Sequence, residues 1–583
     1  MKMNNIWQKD FWQKNALLVI MAAYFIMASA GIFFNYSLFN TTGDEAPLLS
    51  AALKMIAGHS LRPNYPSFYH LSLGAYLYLP FFAIALFIMR LSGLFPSLAA
   101  LERFGQVEFA KFLPLGRFIS VLAGLACLYF LYRISKKLFN NKLVSLLSVF
   151  LLSSSLLFIQ ASHFARVWLP QTLTVLLALY MIIDFYQAPS AKIKHYLWCG
   201  LSIGLAFGTH VVGIFAYVSF LAAHYLKNKK EKIKNIIINP YFWSANLIFT
   251  VVYLIVYFLN TYGFIHYLGG LFPNPNKMLN LSETFSPLVD RSAPLVPDGS
   301  NTISKSIFYY LGALWQSDPL LLTGALFGSV VMFFKKRDIF LILASFVFVY
   351  FFAISSISIK IARYLLPILP VLALFSAFGL SWFYQRTSRK KAAALLIAVL
   401  CLLSLYPPLL WDYKFLLPSS RLEAVNWIYN NLPAGENIIN FDGHLELNEN
   451  RQTIKDMTAH TSFATKKRLY LLSQPDDALP KPNYYVLSFP HYNEIPKEIF
   501  DKKYDYLVIS WLNKDDLQYW KGKLEEVNLN LSSLSLVKRF PAGATEDDIG
   551  MDLGGAIDNP LVKLPKLRQN GPIVDIYKLD YAK

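Results

Sequence analysis

Long apolar stretches joined by short basic segments fill the chain from its start to about residue 411, where the pattern changes. A spanning helix needs about 20 predominantly apolar residues. Stretches of that kind lie roughly at 15–34, 114–133, 142–160, 170–187, 241–263, 307–334, 338–357, 361–384 and 391–411. Tyr196 to Tyr225 is also apolar but has basic flanks on both sides. It is therefore expected to pass out and return as a hairpin of short helices, with Gly208-Thr209-His210 at the tip.

Six basic clusters separate these stretches: Lys2/Lys9/Lys14, Arg133 to Lys142, Lys192/Lys194, Lys227 to Lys234, Lys335 to Arg337, and Arg386 to Lys391. Cytoplasmic loops carry an excess of lysine and arginine, so all six are placed inside. The expected fold is a polytopic α-helical membrane protein with about eleven crossings, its N-terminus cytoplasmic and its C-terminus outside. Only one crossing fits between the first span and Arg133. It is assigned to 114–133, which leaves the apolar stretch near 71–93 as a helix in the outer interface. Ala28-Ser29-Ala30 resembles a signal-peptidase site, but the apolar run continues through Phe34, so the first span is read as uncleaved.

From Asp412 onward charge density is ordinary, and helical and strand-like patterns alternate. Arg421 to Leu432 reads as an amphipathic helix. Strands are expected near Asn437–Phe441, Tyr484–Phe489, Tyr506–Ser510 and Val574–Leu579. The chain therefore divides into a transmembrane catalytic domain, 1–411, with a first outer loop at about 35–113, and an extracytoplasmic α/β domain, 412–583.

Of the 583 residues, 55% are hydrophobic, which excludes a soluble globule. The net charge of +18 does not point to nucleic acid, because the cations sit in the joints between spans. Cys127, Cys199 and Cys401 all fall in apolar stretches, so neither a disulfide framework nor a CxxC metal site is implied.

With that orientation the outer segments carry Asp44, Glu45, Lys54, His59, Arg62 and His70 in the first loop. His163 and Arg166, then His210, then Lys360 and Arg363 follow in later ones. Carboxylates on one loop thus face cations from several others. This suits a reaction in which a hydroxyl loses a proton to a carboxylate and fixed cations stabilise a departing phosphate. Each candidate also has a structural explanation. Thr42-x-x-Glu45 matches a capping box, and Pro47 suits the first turn of a helix at about 45–58. That helix would put Leu48, Leu49, Ala52, Leu53 and Ile56 on one face and lie along the membrane surface. Glu45 can cap while Asp44 points into a cavity. Lys360 and Arg363 are three apart and would share a helix face, as would His163 and Arg166. Basic residues at span ends often snorkel to headgroups, but these four stand on the side that is otherwise depleted of cations. His210 is equally suited to packing. The chain has no Walker loop, dinucleotide fingerprint, HExxH or nucleophile elbow.

These features resemble the membrane-embedded glycosyltransferases of the C superfamily (GT-C), closest to the protein O-mannosyltransferase and aminoarabinose-transferase branch (glycosyltransferase family 39-like). The likeness is carried by Asp44-Glu45, Tyr65-Pro66-x-x-Tyr69-His70-Leu71, Gly116-Arg117-Phe118-Ile119-Ser120, Gly204-Leu205-Ala206-Phe207-Gly208-Thr209-His210, and Arg363-Tyr364-Leu365-Leu366-Pro367-Ile368-Leu369-Pro370. The resemblance implies transfer of a sugar from a polyprenyl-phosphate donor to an acceptor hydroxyl, with inversion, at the extracytoplasmic face. The acceptor would be a protein, lipid or polysaccharide. Asp44 would be the catalytic carboxylate and Glu45 its assistant. Arg363 would hold the donor phosphate with Lys360 beside it, and Arg62, Tyr65, His70, His163, Arg166 and His210 would complete the substrate-binding set. Relatives often show an Asp in the outer loop after the third span, where this chain reads Ala165-Arg166-Val167-Trp168-Leu169-Pro170, and Lys where His210 stands. No acidic metal-ligand set is evident, and no cofactor is expected. The competing reading is a polytopic transporter or flippase of a lipid-linked or envelope precursor. It is disfavoured by spans that read as almost charge-free and by the absence of paired repeats. A non-catalytic relative acting through its outer domain is the third.

Overall fold

The structure, a computed structural model, describes residues 3–34, 45–57, 61, 73–95, 97, 100–101, 104, 109–259, 303–357, 360–459, 465–488, 503–526, 529–543 and 563–579. The chain forms two compact units that are not contiguous in sequence. One comprises Met1–Ile32, Pro47–Ile84 and Leu115–Leu409. The other comprises Phe33–Ala46, Ala85–Pro114 and Leu410–Lys583.

The first unit is helical. In chain order its helices are α1 (Met3–Ala30), α2 (Ala46–Ala57), α3 (Leu73–Leu91), α4 (Leu113–Phe139), α5 (Lys142–Ser153), α6 (Leu156–Ser162), α7 (Trp168–Gln187), α8 (Ile193–Thr209), α9 (Ala216–Asn228), α10 (Ile233–Ile238) and α11 (Pro240–Leu259). After the 260–302 segment come α12 (Ile303–Ser317), α13 (Pro319–Lys335), α14 (Arg337–Ser355), α15 (Leu369–Arg386) and α16 (Lys390–Phe415). Among the described residues six helices are long and apolar enough to cross a membrane, or eight if each of two bent pairs is one span.

Those two bends correct the sequence reading. The stretch 307–334 was expected to be one span, but α12 and α13 meet at 114°. Pro319 is the cause: its ring excludes the helical region for the preceding residue, and Asp318 takes φ −140°, ψ 61°. The stretch 142–160 also breaks, by 61°, at Ser153-Ser154-Ser155. Serine competes with the helix for its own backbone groups, and Ser155 turns extended and caps α6 through its side chain. The expected interfacial helix near 71–93 is α3, which is as long and apolar as the spanning helices. Ala75, Tyr78, Phe82 and Leu86 are buried at helical spacing, whereas Leu77, Phe81, Ile84, Phe87, Ile88 and Leu91 are exposed.

The expected hairpin occurs as α8 and α9, joined by an extended His210 and a short 3-10 turn, Val211–Phe215. Between α4 and α5 the chain stops one helix and starts the next with two asparagines. Asn140 is left-handed (φ 45°), and Asn141 Oδ1 accepts from the amides of Leu143 and Val144. Small residues let helices approach closely: a Cβ on Gly379 of α15 would stand 2.8 Å from the Gly328 Cα of α13.

In the second unit, Leu410–Lys583 carries a five-stranded sheet of order β2-β1-β3-β5-β4. Its strands are β1 (Asn437–Asn440), β2 (Tyr485–Ser488), β3 (Tyr506–Trp511), β4 (Ser535–Phe540) and β5 (Ile573–Lys578). β1 pairs in parallel with β2 and β3, and β5 runs antiparallel to β3 and β4. Alternation sends Leu507, Ile509, Ile573 and Tyr577 to one core, and Ile438, Val486, Val508, Val574 and Ile576 to the other. Helix α17 (Ser420–Asn431) packs Ala424, Val425 and Ile428 into that second core. Among the described residues it also has helices α18 (Arg451–Ala459), α19 (Lys466–Leu472) and α20 (Lys514–Glu525).

Candidate active site

Five helices of the first unit share one polarity. α7 begins at Trp168 and ends near the Lys192/Lys194 cluster, α8 runs back from there to Thr209, α9 ends at Lys227, α14 begins at Arg337, and α15 ends at Arg386. The basic ends of α7, α9 and α14 meet, with α4 beside them: Lys229 Nζ pairs with Asp338 Oδ2 at 2.9 Å, Lys137 of α4 pairs with Asp184, and Lys227 Nζ donates to the carbonyls of Tyr186 and Ala188. A 20-residue helix such as α7 is about 30 Å long, so the turns 163–167, 209–211 and 360–364 stand together at the opposite end.

Those turns converge on Trp168, the first residue of α7. Its indole faces the His210 ring at 4.8 Å and the Tyr364 ring at 5.0 Å between centroids, tilted by 41° and 44°. One aromatic side chain therefore joins three segments that the sequence had offered separately. The His210 ring is buried, and its Nδ1 accepts from the Val212 amide at 3.3 Å, which leaves the ring's other nitrogen to carry the proton in the neutral form. Tyr364 is held through its carbonyl, which accepts from Tyr350 Oη at 2.8 Å.

The turn before Trp168 is pinned from two sides. Ser120 Oγ of α4 donates to the Phe164 carbonyl at 2.7 Å, and Tyr78 Oη of α3 donates to the Arg166 carbonyl at 3.3 Å. The Arg166 guanidinium lies over the Phe164 ring at 4.7 Å and is 8% exposed. His163, fully buried, turns its Nδ1 to the Ile159 carbonyl of its own helix at 2.8 Å. Gly116-Arg117-Phe118-Ile119-Ser120 is the scaffold of this corner. A Cβ on Gly116 would stand 2.8 Å from Leu49 Cδ2 and 2.9 Å from Ala165 Cβ, and Arg117, fully buried, donates to the Ile32 carbonyl at 3.1 Å.

Leu49 belongs to α2, the amphipathic helix expected after the acidic pair. Leu48, Leu49, Ala52 and Leu53 are buried as expected, and Lys54 is exposed. A Cβ on Gly74 would likewise stand 3.0 Å from Leu48 Cδ2 and 3.4 Å from Val167 Cγ2, so Gly74 and Gly116 are hemmed in by α2 on one side and the Arg166 turn on the other. Glu45 immediately precedes the helix and is 1% exposed. It does not occupy the third helical position that the capping box required, because the helix starts at Ala46 with Pro47 in its first turn. Asp44, His59, Arg62, Tyr65 and His70 lie outside the described residues.

Lys360 and Arg363 do not share a helix face. Ile361 is extended (φ −137°, ψ 124°), and only Arg363 enters the following 3-10 turn, Ala362–Ile368. The Pro367 and Pro370 that mark this segment shorten the helix there. Both cations are half-buried next to Tyr364 in sequence. Among the described residues no group of three or more His, Cys, Asp or Glu could hold a metal ion.

Sequence reasoning missed Asp318. It lies inside a stretch read as charge-free span, yet it is buried, with Ser155 Oγ donating to Oδ2 at 2.8 Å and the Leu156 amide donating to Oδ1 at 2.9 Å. The Asp-Pro dipeptide within an apolar run was the available signal.

Residues 109–258 match the family model of dolichyl-phosphate-mannose-protein mannosyltransferases. That segment holds His163, Arg166, Trp168 and His210, and leaves Asp44, Glu45, Lys360 and Arg363 outside it. No curated protein sequence matches the chain. Among solved structures, it is similar to ArnT from Cupriavidus metallidurans bound to undecaprenyl phosphate, at 11% identity over 97% of this chain and 98% of that one, TM-score 0.49. It is also similar to the Archaeoglobus fulgidus oligosaccharyltransferase, at 14% identity over 89% and 71%, TM-score 0.48. A third likeness is to the S. cerevisiae protein O-mannosyltransferase complex bound to the sugar donor, at 15% identity over 44% and 34%, TM-score 0.32. Over residues 109–258, about a quarter of the chain, the sequence is thus similar to the dolichyl-phosphate-mannose-protein mannosyltransferases.

Proposed function

We propose that the protein is an inverting glycosyltransferase that moves a sugar from a polyprenyl-phosphate donor to an acceptor hydroxyl at the extracytoplasmic face. The observation that carries this reading is the meeting of three cation-bearing turns on Trp168, at the end of the helices opposite their basic clusters. Cytoplasmic ends attract lysine and arginine, so that corner is assigned to the outside, with the N-terminus inside and the sheet unit outside. A donor built on a lipid phosphate is in keeping with the description of the matching family.

In this reading Asp44 takes the proton of the acceptor hydroxyl as its oxygen attacks the anomeric carbon. The bond from that carbon to the phosphate oxygen breaks, and the electron pair leaves with the polyprenyl phosphate. Glu45, next in the chain, hydrogen-bonds sugar or acceptor. Arg363 with Lys360 beside it, and Arg166 and His210 across the Trp168 stack, stabilise the charge that grows on the phosphate. His163 supports the Arg166 turn, and Arg62, Tyr65 and His70 complete the substrate set from the first outer loop.

The competing transporter reading draws on the two broken helices, which in transporters expose half-helix ends to substrate. Here the carboxylate at the breaks already has both oxygens engaged by Ser155 and Leu156. The test is reconstitution in vesicles with a polyprenyl-phosphate sugar labelled in the sugar. Label should pass to an acceptor in an envelope extract while free polyprenyl phosphate accumulates. Movement of the intact lipid-linked sugar across the bilayer without cleavage would instead establish the transporter.

A further inference from the structure

We infer that Asp318 is a positioning residue for transfer: it clamps the start of α6 and so sets the 163–168 turn that carries Arg166 and Trp168. The inference rests on the glycosyl-transfer reading above.

Helix α6 has seven residues, too few to hold a helical shape by itself in isolation. Its first turn would otherwise leave backbone N–H groups without acceptors. Asp318 supplies one: its carboxylate receives the Leu156 amide at 2.9 Å and Ser155 Oγ at 2.8 Å. A negative group there also matches the positive end of the helix dipole. Asp318 is itself fixed, because Pro319 holds it out of helical geometry at the corner between α12 and α13.

The far end of α6 runs directly into the candidate site. Ser162, its last residue, meets Tyr24 Oη of α1 at 2.7 Å, and His163 caps the helix. Three residues on comes Arg166, and then Trp168 under His210 and Tyr364. The clamp at one end, the Tyr24 contact and the Ser120 and Tyr78 bonds at the other leave α6 a single axial position. An asparagine at 318 keeps a single acceptor oxygen and no charge, so the Leu156 amide and the Ser155 hydroxyl could no longer each donate to an oxygen of their own, and the clamp would weaken with little change in volume.

The test compares wild type with Asp318→Asn, Ser155→Ala and the double variant at equal amounts of folded protein. In Asp318→Asn the donor KM should rise about tenfold, because displaced contacts at the site weaken donor binding, while acceptor KM stays as in wild type. Ser155→Ala should act in the same direction and more weakly, and the double variant should be no worse than Asp318→Asn. Hydrogen exchange should speed up selectively over residues 156–168. A donor KM unchanged within about twofold, or unaltered exchange over 156–168, would overturn the clamp. Should wild type transfer no sugar at all, the functional reading falls, and the exchange measurement alone still decides the clamp.

Discussion

Trp168 and His210 face each other with ring centroids 4.8 Å apart, and this contact ties the start of α7 to the end of α8. Tyr364 approaches the same indole from a third segment at 5.0 Å. Removal of Trp168 should therefore loosen all three turns together. Trp168→Ala is expected to destabilise the helical unit by about 3–5 kcal/mol, and Trp168→Phe by much less. Thermal unfolding in detergent, compared between the two variants, checks this; equal midpoints would mean that the stack is not a structural joint.

Asp44 is the residue on which the proposed chemistry depends. Asp44→Asn should expose normal amounts of protein in the membrane and lower kcat by about 10²- to 10⁴-fold, the range a general base contributes. Glu45→Gln should cost less, because it leaves the base in place. Activity retained by Asp44→Asn in the vesicle assay would remove Asp44 from the mechanism.

In the proposed function Arg363 holds the donor phosphate and Lys360 supports it; the two diverge where the chain passes from extended backbone into the 3-10 turn. Arg363→Ala is expected to raise donor KM about ten- to hundredfold, with Arg363→Lys between it and wild type. Lys360→Ala should shift donor KM less than Arg363→Ala does. An effect confined to acceptor KM would reassign both residues.

The sheet unit offers a pH prediction. Arg421 Nε donates to Asp442 Oδ2 at 2.6 Å, and both side chains are buried. Burial pushes the Asp442 carboxyl up, but the Arg421 guanidinium and the His444 amide outweigh it and hold it below its ordinary 3.8. The folded state thus binds this proton less readily than the unfolded one. The contribution is fully present above about pH 4 and is lost as pH falls through the lower folded value. Asp442→Asn should remove this acid sensitivity and, at neutral pH, destabilise the unit by about 3–5 kcal/mol, because Arg421 keeps its buried charge. Exchange rates of the β1 and α17 amides in the full-length protein, followed from about pH 6 to pH 3, report both effects.

Legibility followed locality. α2 was readable because Leu48, Leu49, Ala52 and Leu53 recur at helical spacing, and β1, β2, β3 and β5 because their apolar residues cluster in short runs. β4 was not, since four of its six residues are exposed and it reads as polar chain; only pairing with β5 makes it a strand. The candidate site showed the same limit. Arg166, His210 and Arg363 could be chosen for standing on the cation-poor side, but no local pattern indicated that Trp168 would bring their turns together.

The sequence by itself determined that the chain is rich in apolar helices, the positions of most of them and the charge at their ends. Hydropathy, charge and short motifs act within a few residues of one another, so each of these is written along the chain. Tertiary structure alone decided that α12 and α13 turn a corner, that Asp318 closes on α6, and that three distant turns share one indole. Those outcomes depend on which surfaces pack once the helices associate, and packing partners far apart in the chain leave no periodic mark on it.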